Sequence, residues 1–266
     1  MKARHRERWA LALTGLMLVA LFESMPMLDL WVAMQAHASM GLFPASDLLW
    51  VQTLYRGTPW VGRAMFLCSG VVLLLACWRR LRPARWRWRR AAAVHLVLLV
   101  GLGLVVHAVF KEHWGRPRPY ELQVFAGTQS YVPALRPVGS CRGNCSFVSG
   151  HAATGFALLS MGMFSARARR RRWFGVALCS GLLIGAGRVL QGGHFVSDVL
   201  FAGWLMWAVT ALVREVWLRS MRWRRLRRSR QHVVLLSQDR GGGVSGDERS
   251  HECHATFANS RSVHSS

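Results

Sequence analysis

Apolar residues along this chain are gathered into blocks, and runs of arginine separate the blocks. Long apolar runs cover residues 60–78, 91–110, 151–166, 173–190 and 195–213. A helix that crosses a bilayer needs about twenty such residues, with tolerance for tilt. A shorter block at 9–22 follows Lys2, Arg4, Arg6 and Arg8. Glu23-Ser24-Met25 behind it offers no small-residue cleavage site, so it reads as an uncleaved anchor, open to continuation past Pro26. The pattern predicts an all-α polytopic membrane protein, a bundle of six transmembrane helices. Between the spans, Leu28, Trp31 and Val32, and then Leu48, Leu49, Trp50 and Leu54, predict helices lying on the membrane surface within the outer segments.

Charge orients this bundle. The chain of 266 residues is 52% hydrophobic and carries 35 Lys+Arg against 12 Asp+Glu, a formal charge of +23. Such hydrophobicity excludes a disordered chain, and its block arrangement excludes a water-soluble domain. The second and third spans are joined by Arg79, Arg80, Arg82, Arg85, Arg87, Arg89 and Arg90, the fourth and fifth by Arg167 and Arg169–Arg172. Residues 214–230 are again dense in arginine. By the positive-inside rule these segments and the N-terminus are cytoplasmic, in agreement with an even helix count. Arginine clustered at span ends also argues against a nucleic-acid partner. Residues 1–230 are therefore expected to form one membrane domain, and 231–266, with Gly241–Gly243 and many serines, a disordered cytoplasmic tail. Oligomeric state is not legible.

Three constellations fall on the opposite, outer face. The first is Lys111-Glu112-His113-Trp114-Gly115-Arg116-Pro117-Arg118-Pro119, just outside the third span. Lys111 and Lys2 are the only lysines in the chain. Cations this close suit a phosphate, or an interfacial cluster touching lipid headgroups. The second is Ser149-Gly150-His151 at the opening of the fourth span. Unpaired backbone N–H groups at a helix start form an anion site, glycine admits close approach, and a histidine can donate a proton there. An ordinary serine cap beside an interfacial histidine has the same sequence. The third is Arg188, His194 and Asp198, with the last two four residues apart on one helical face. A carboxylate accepting from one ring nitrogen leaves the other free to attack, although a buried ion pair between helices uses the same groups.

Read in order, Lys111-x6-Arg118-Pro119, Ser149-Gly150-His151 and Arg188-x5-His194-x3-Asp198 resemble the signature of the type 2 phosphatidic acid phosphatase family, shared with bacterial acid phosphatases and vanadium haloperoxidases. The likeness covers roughly residues 91–213. Two positions depart from it: Val148 stands where the family usually has proline, and Gly187 where it usually has serine. The resemblance implies six spans and a phosphoryl-transfer site in which His194 is the nucleophile, oriented by Asp198. His151 is then the proton donor to the leaving oxygen. Lys111, Arg118, Ser149, Gly150 and Arg188 bind the phosphate. It implies no metal and no other cofactor.

The expected activity is a lipid phosphate phosphatase in the bacterial inner membrane, with its site on the periplasmic side. Its substrate would be lipid A, phosphatidylglycerol phosphate, phosphatidic acid or undecaprenyl diphosphate. A lipid phosphotransferase would use the same site, and a non-catalytic anionic-lipid-binding membrane protein would need only its cations. Of six cysteines, Cys68, Cys77 and Cys179 lie in apolar blocks and Cys253 in the tail. Cys141 and Cys145 share the outer loop, where a disulfide is permitted, and either bridge or remain unpaired. Tyr120, Arg136 and Arg142 share that loop and are candidates to contact a headgroup.

Overall fold

The computed structural model describes residues 2–38, 42–78, 83–137, 141 and 143–241. Among these the helices are α1 (Lys2–Ser24), α2 (Leu28–Ala36), α3 (Leu49–Cys77), α4 (Arg85–Val97), α5 (Gly150–Phe156), α6 (Arg167–Leu190) and α7 (Val196–Gly241). A π-helical segment, Leu98–Lys111, continues α4, and a 3₁₀ segment, Ala157–Gly162, continues α5. The chain divides into two units, residues 1–218 and 219–266. In the second, the Arg227 guanidinium lies 4.5 Å from the Trp223 ring centroid.

Among the described residues four helices are long and apolar enough to cross a membrane: Leu49–Cys77, Trp86–Lys111, Arg167–Leu190 and Val196–Trp223. A fifth is counted if His5–Ser24 and Leu28–Ala36, bent by 79°, form one broken span. The bend falls at Pro26, which has no N–H to give a helix and disfavours helical angles in the residue before it. The segment expected as a fourth span, 151–166, is regular only as far as Gly162. Its first turns are buried from Ala152 through Phe156, so other helices surround α5 where lipid was expected.

Two further expectations differ from the structure. Leu49, Trp50 and Leu54 do not form a separate surface helix, because they are the first turns of α3, which runs on through Pro59. Proline removes a single helical hydrogen bond, and neighbouring groups in a bundle can re-satisfy it. The tail expected from residue 231 is helical as far as Gly241, and 242–266, with Cys253, lie outside the described residues.

Small residues let the central helices approach closely. A Cβ on Gly155 of α5 would sit 2.8 Å from the Gly181 backbone of α6. One on Gly185, a turn further along α6, would sit 2.2 Å from the Val199 side chain of α7. The Gly181-x3-Gly185 face is thus the seam at which α6 meets both neighbours, as in membrane helix pairs generally. It delivers Arg188 at the end of α6 and His194 and Asp198 around the start of α7 to one place. Outward-facing Leu67, Leu74, Leu99, Leu104 and Leu183 are exposed, as lipid-facing positions would be.

At the other end of the bundle the arginine clusters meet. Arg8 pairs with Glu215 at 3.1 Å, Arg214 with Glu7, and Arg90 donates to Ser165 at 2.8 Å. Arg6, Arg170, Arg171 and Arg214 line one cleft there. Arg79, Arg80 and Arg82 lie outside the described residues.

Candidate active site

The site is built around a carboxylate. Asp198, in the first turn of α7, is fully buried. Its Oδ1 accepts from Arg116 Nη1 at 2.6 Å. Its Oδ2 accepts from Ser146 Oγ at 2.5 Å and from the Phe195 N–H at 2.9 Å. His194 Nδ1 lies 3.4 Å from the same oxygen and 3.5 Å from Ser146 Oγ. An ionised carboxylate accepting this many hydrogen bonds is held in one orientation. It therefore fixes which nitrogen of His194 carries the proton, leaving Nε2 on the opposite side of the ring with its lone pair. Burial holds the His194 imidazole well below the ordinary histidine range, at about 3, against the opposing hydrogen bond to Asp198. The ring is neutral at physiological pH, as a nitrogen nucleophile requires.

Arg116 is the residue that makes this burial tolerable, whereas the sequence reading counted it only among the clustered cations suited to a phosphate. It is completely buried. Besides Asp198 it donates to Asp29 Oδ2 at 2.8 Å, Ser197 Oγ at 2.8 Å and the Val132 carbonyl at 2.9 Å, and it lies 4.0 Å from the Phe195 ring centroid. Asp29, on α2, also accepts from the Ser197 N–H at 2.9 Å and from its hydroxyl. One guanidinium thus ties α2, the loop after Lys111 and the start of α7 together. Asp29 carried a usable signal, an acid inside the apolar run Leu28–Ala36, where a carboxylate is costly unless it has a partner.

Four of the five positions expected to bind phosphate line a cavity of about 390 Å³. Lys111, Arg118, Gly150 and Arg188 line it, together with His151 and His194. Ser149 lies just behind, where its hydroxyl caps α5 by accepting from the Ala152 N–H at 3.4 Å. Its own N–H donates to the Asp198 carbonyl at 3.1 Å, which joins the second motif to the third. A Cβ on Gly150 would meet Lys111 Cε at 3.2 Å, so glycine leaves room for the lysine to reach the helix start. Val148 is buried beneath this turn, and a Cβ on Gly187 would meet only the Trp50 and Val51 side chains at 3.7 and 4.0 Å.

The loop before α5 sets two of the cations. Cys141 and Cys145 are joined by a disulfide. The Cys145 N–H bonds to the Lys111 carbonyl at 3.1 Å and the Ser146 N–H to the Arg116 carbonyl at 2.8 Å, so the bridged loop runs along the first motif. Its Cys145 carbonyl accepts from Lys111 Nζ at 3.1 Å, and its Asn144 carbonyl from Arg118 Nη2 at 2.8 Å. Of the three headgroup candidates, Tyr120 contacts Arg118, its hydroxyl 3.5 Å from Nη1. Arg136 is instead engaged with Glu23 at 3.2 Å, and Arg142 lies outside the described residues.

Tyr55 of α3 completes the wall. Its ring stacks on His151 with centroids 5.2 Å apart and lies 4.6 Å from the Arg188 guanidinium carbon. Its backbone hydrogen-bonds the His151 ring, and Pro59, four residues on, has no N–H with which to compete for that carbonyl. His151 Nε2 is buried and has no partner. His151 lines the same cavity as His194 and the cations. Among the described residues no group of three or more His, Cys, Asp or Glu could hold a metal ion.

The PAP2 superfamily matches the chain over residues 92–222, which includes all three motifs. The chain is 35% identical over 162 residues to a protein of Francisella tularensis subsp. novicida, covering 58% of this chain and 73% of that one. It is 31% identical over 208 residues to a protein of Rhizobium leguminosarum, covering 71% and 86%. It is 40% identical over 108 residues to one of Rhizobium etli, covering 41% and 42%. All three are named lipid A 4'-phosphatase. No solved structure matches. Because the match spans the three motifs and the alignments cover most of two relatives, the chain belongs to the PAP2 superfamily, that of the type 2 phosphatidic acid phosphatases.

Proposed function

We propose that this protein is a membrane lipid phosphatase that removes a phosphate from an anionic lipid through a phosphohistidine. The observation that carries it is the pairing of His194 with a fully buried, Arg116-neutralised Asp198 at the wall of a cation-lined cavity. His194 Nε2 attacks phosphorus as the bond to the lipid oxygen breaks, and His151 gives that oxygen a proton. Water then attacks the phosphohistidine, His151 takes the proton back, and phosphate leaves. Lys111, Arg118 and Arg188, with the Ser149–Gly150 helix start, stabilise the charge on the equatorial oxygens throughout. The names of the three relatives favour lipid A and its 4'-phosphate among the candidate substrates. The proposed topology has six spans, with the bent α1–α2 pair and α5 completing the four long helices. In it both termini and the arginine end face the cytoplasm, and the site opens on the periplasmic side of the inner membrane.

Phosphate release from a lipid panel in detergent tests this reading. Wild type is expected to release phosphate with or without a chelator, best from lipid A, and His194→Ala to lose on the order of 10³-fold or more. Equal release by a folded His194→Ala protein would sink the mechanism, and loss with chelator would show that a metal is needed.

A further inference from the structure

The cavity holds more positive charge than one phosphate calls for. Arg63, Lys111, Arg118 and Arg188 all line it, and no aspartate or glutamate does. Lys111, Arg118 and Arg188 belong to the anion site around His151 and His194, and together they match or exceed the charge of a phosphate monoester. Arg63 is separate from them. It sits on α3 eight residues beyond Tyr55, the residue that stacks on His151, a rise of about 12 Å along the helix. Next to it, Gly62 faces α5, where a Cβ would meet Thr154 at 3.2 Å, so this turn of α3 borders the site.

Arg63 also lacks a structural reason to be charged. Among the described residues no carboxylate pairs with it, and its guanidinium carbon lies 4.8 Å from the Trp60 ring centroid. An unpaired arginine inside an apolar, membrane-crossing helix is costly and marks a ligand pathway more often than a scaffold. Pro59, Gly62 and Leu102 add apolar wall to the cavity that Arg63 lines. There a charge-assisted contact to an anion is stronger than in water.

We infer that Arg63 binds a second anionic group of the lipid, apart from the phosphate that is removed, and so selects lipids that carry two. This rests on the phosphatase reading above and adds the class of substrate to it. The guanidinium fork suits a phosphate or carboxylate oxygen pair.

The test compares two diglucosamine lipids of equal acyl composition, one bearing two phosphates and one bearing only the phosphate to be removed. Each is presented in mixed micelles to the full chain. The reading is the preference, the ratio of kcat/KM for the two lipids. Arg63→Gln is expected to lower it about tenfold, the scale of one charge-assisted contact, and Arg63→Lys to recover part of it. An unchanged preference, whether both lipids lose alike or neither does, overturns the inference. Arg63→Met serves as a second neutral variant should Arg63→Gln lower the unfolding temperature. Binding of both lipids is also measured in a His194→Ala background, which needs no turnover. If wild type cleaves neither lipid but Arg63 still confers preference in binding, the phosphatase reading fails and the anion site stands. Equal binding with and without Arg63 removes the site whatever the turnover shows.

Discussion

The two ends of the bundle both concentrate arginine, yet they use it in opposite ways. At the site end, Arg116 is wholly buried, pairs with Asp29 and Asp198, and is met by Ser197 and the Val132 carbonyl. At the other end Arg8 keeps 55% of its side chain exposed while it pairs with Glu215. The first arrangement specifies positions, since a buried charge left without its partner is expensive and only one geometry satisfies both carboxylates. The exposed Arg8 pair specifies little, because water and salt screen it. Composition alone cannot tell these populations apart. Their difference lies in what surrounds the guanidinium.

That contrast is sharpest if one arginine is removed from each end. Arg116→Met leaves Asp29 and Asp198 buried without a counter-charge and is expected to destabilise the fold by about 3–5 kcal/mol. It is read as a fall in unfolding temperature in detergent, and an unaltered transition would erase the distinction between the ends.

Next in size is the pH dependence of stability from His194. Its folded pKa, about 3, lies below the ordinary value of 6.5, so between the two the unfolded chain binds the extra proton. The stabilisation from keeping the ring neutral is complete above pH 6.5 and is lost as pH falls toward 3. The slope is up to about 1.4 kcal/mol per pH unit. Subtracting a His194→Gln profile isolates it from the other histidines, and parallel profiles would contradict the burial argument.

A smaller effect is expected from the bridged loop. Replacing Cys141 and Cys145 by serine frees the carbonyls that hold Lys111 and Arg118. KM for a lipid phosphate should rise about fivefold, worth about 1 kcal/mol, with kcat less affected. An unchanged KM would mean that the neighbouring backbone bonds hold the loop unaided. Smallest of all, Arg8→Gln should cost under about 1 kcal/mol and lose even that in high salt. A larger loss would place this pair with the buried ones.

Much of the site was legible because its chemistry is local in sequence. Ser149-Gly150-His151 is contiguous and opens a helix, and His194 and Asp198 are one helical turn apart. What escaped depends on distant pairs. Asp29 meets Arg116 across 87 residues and Tyr55 stacks on His151 from another helix, so no spacing rule could announce either contact. The surroundings of one expected span escaped for a related reason. Apolar content at 151–166 reads the same whether lipid or protein surrounds it, and only packing revealed that α5 is enclosed.

By itself the sequence determined the helical class, the apolar blocks, the clustering of the arginines and the identities of the three motifs. Each of these follows from residue type and short-range spacing. Tertiary structure alone decided that α3 carries Tyr55 and Arg63 to the cavity, that the 141–145 bridge lies along the first motif, and that Arg116 shares its charge between two carboxylates. Those facts depend on helices packing through Gly155, Gly181 and Gly185, where close approach of backbones selects neighbours that the chain order does not.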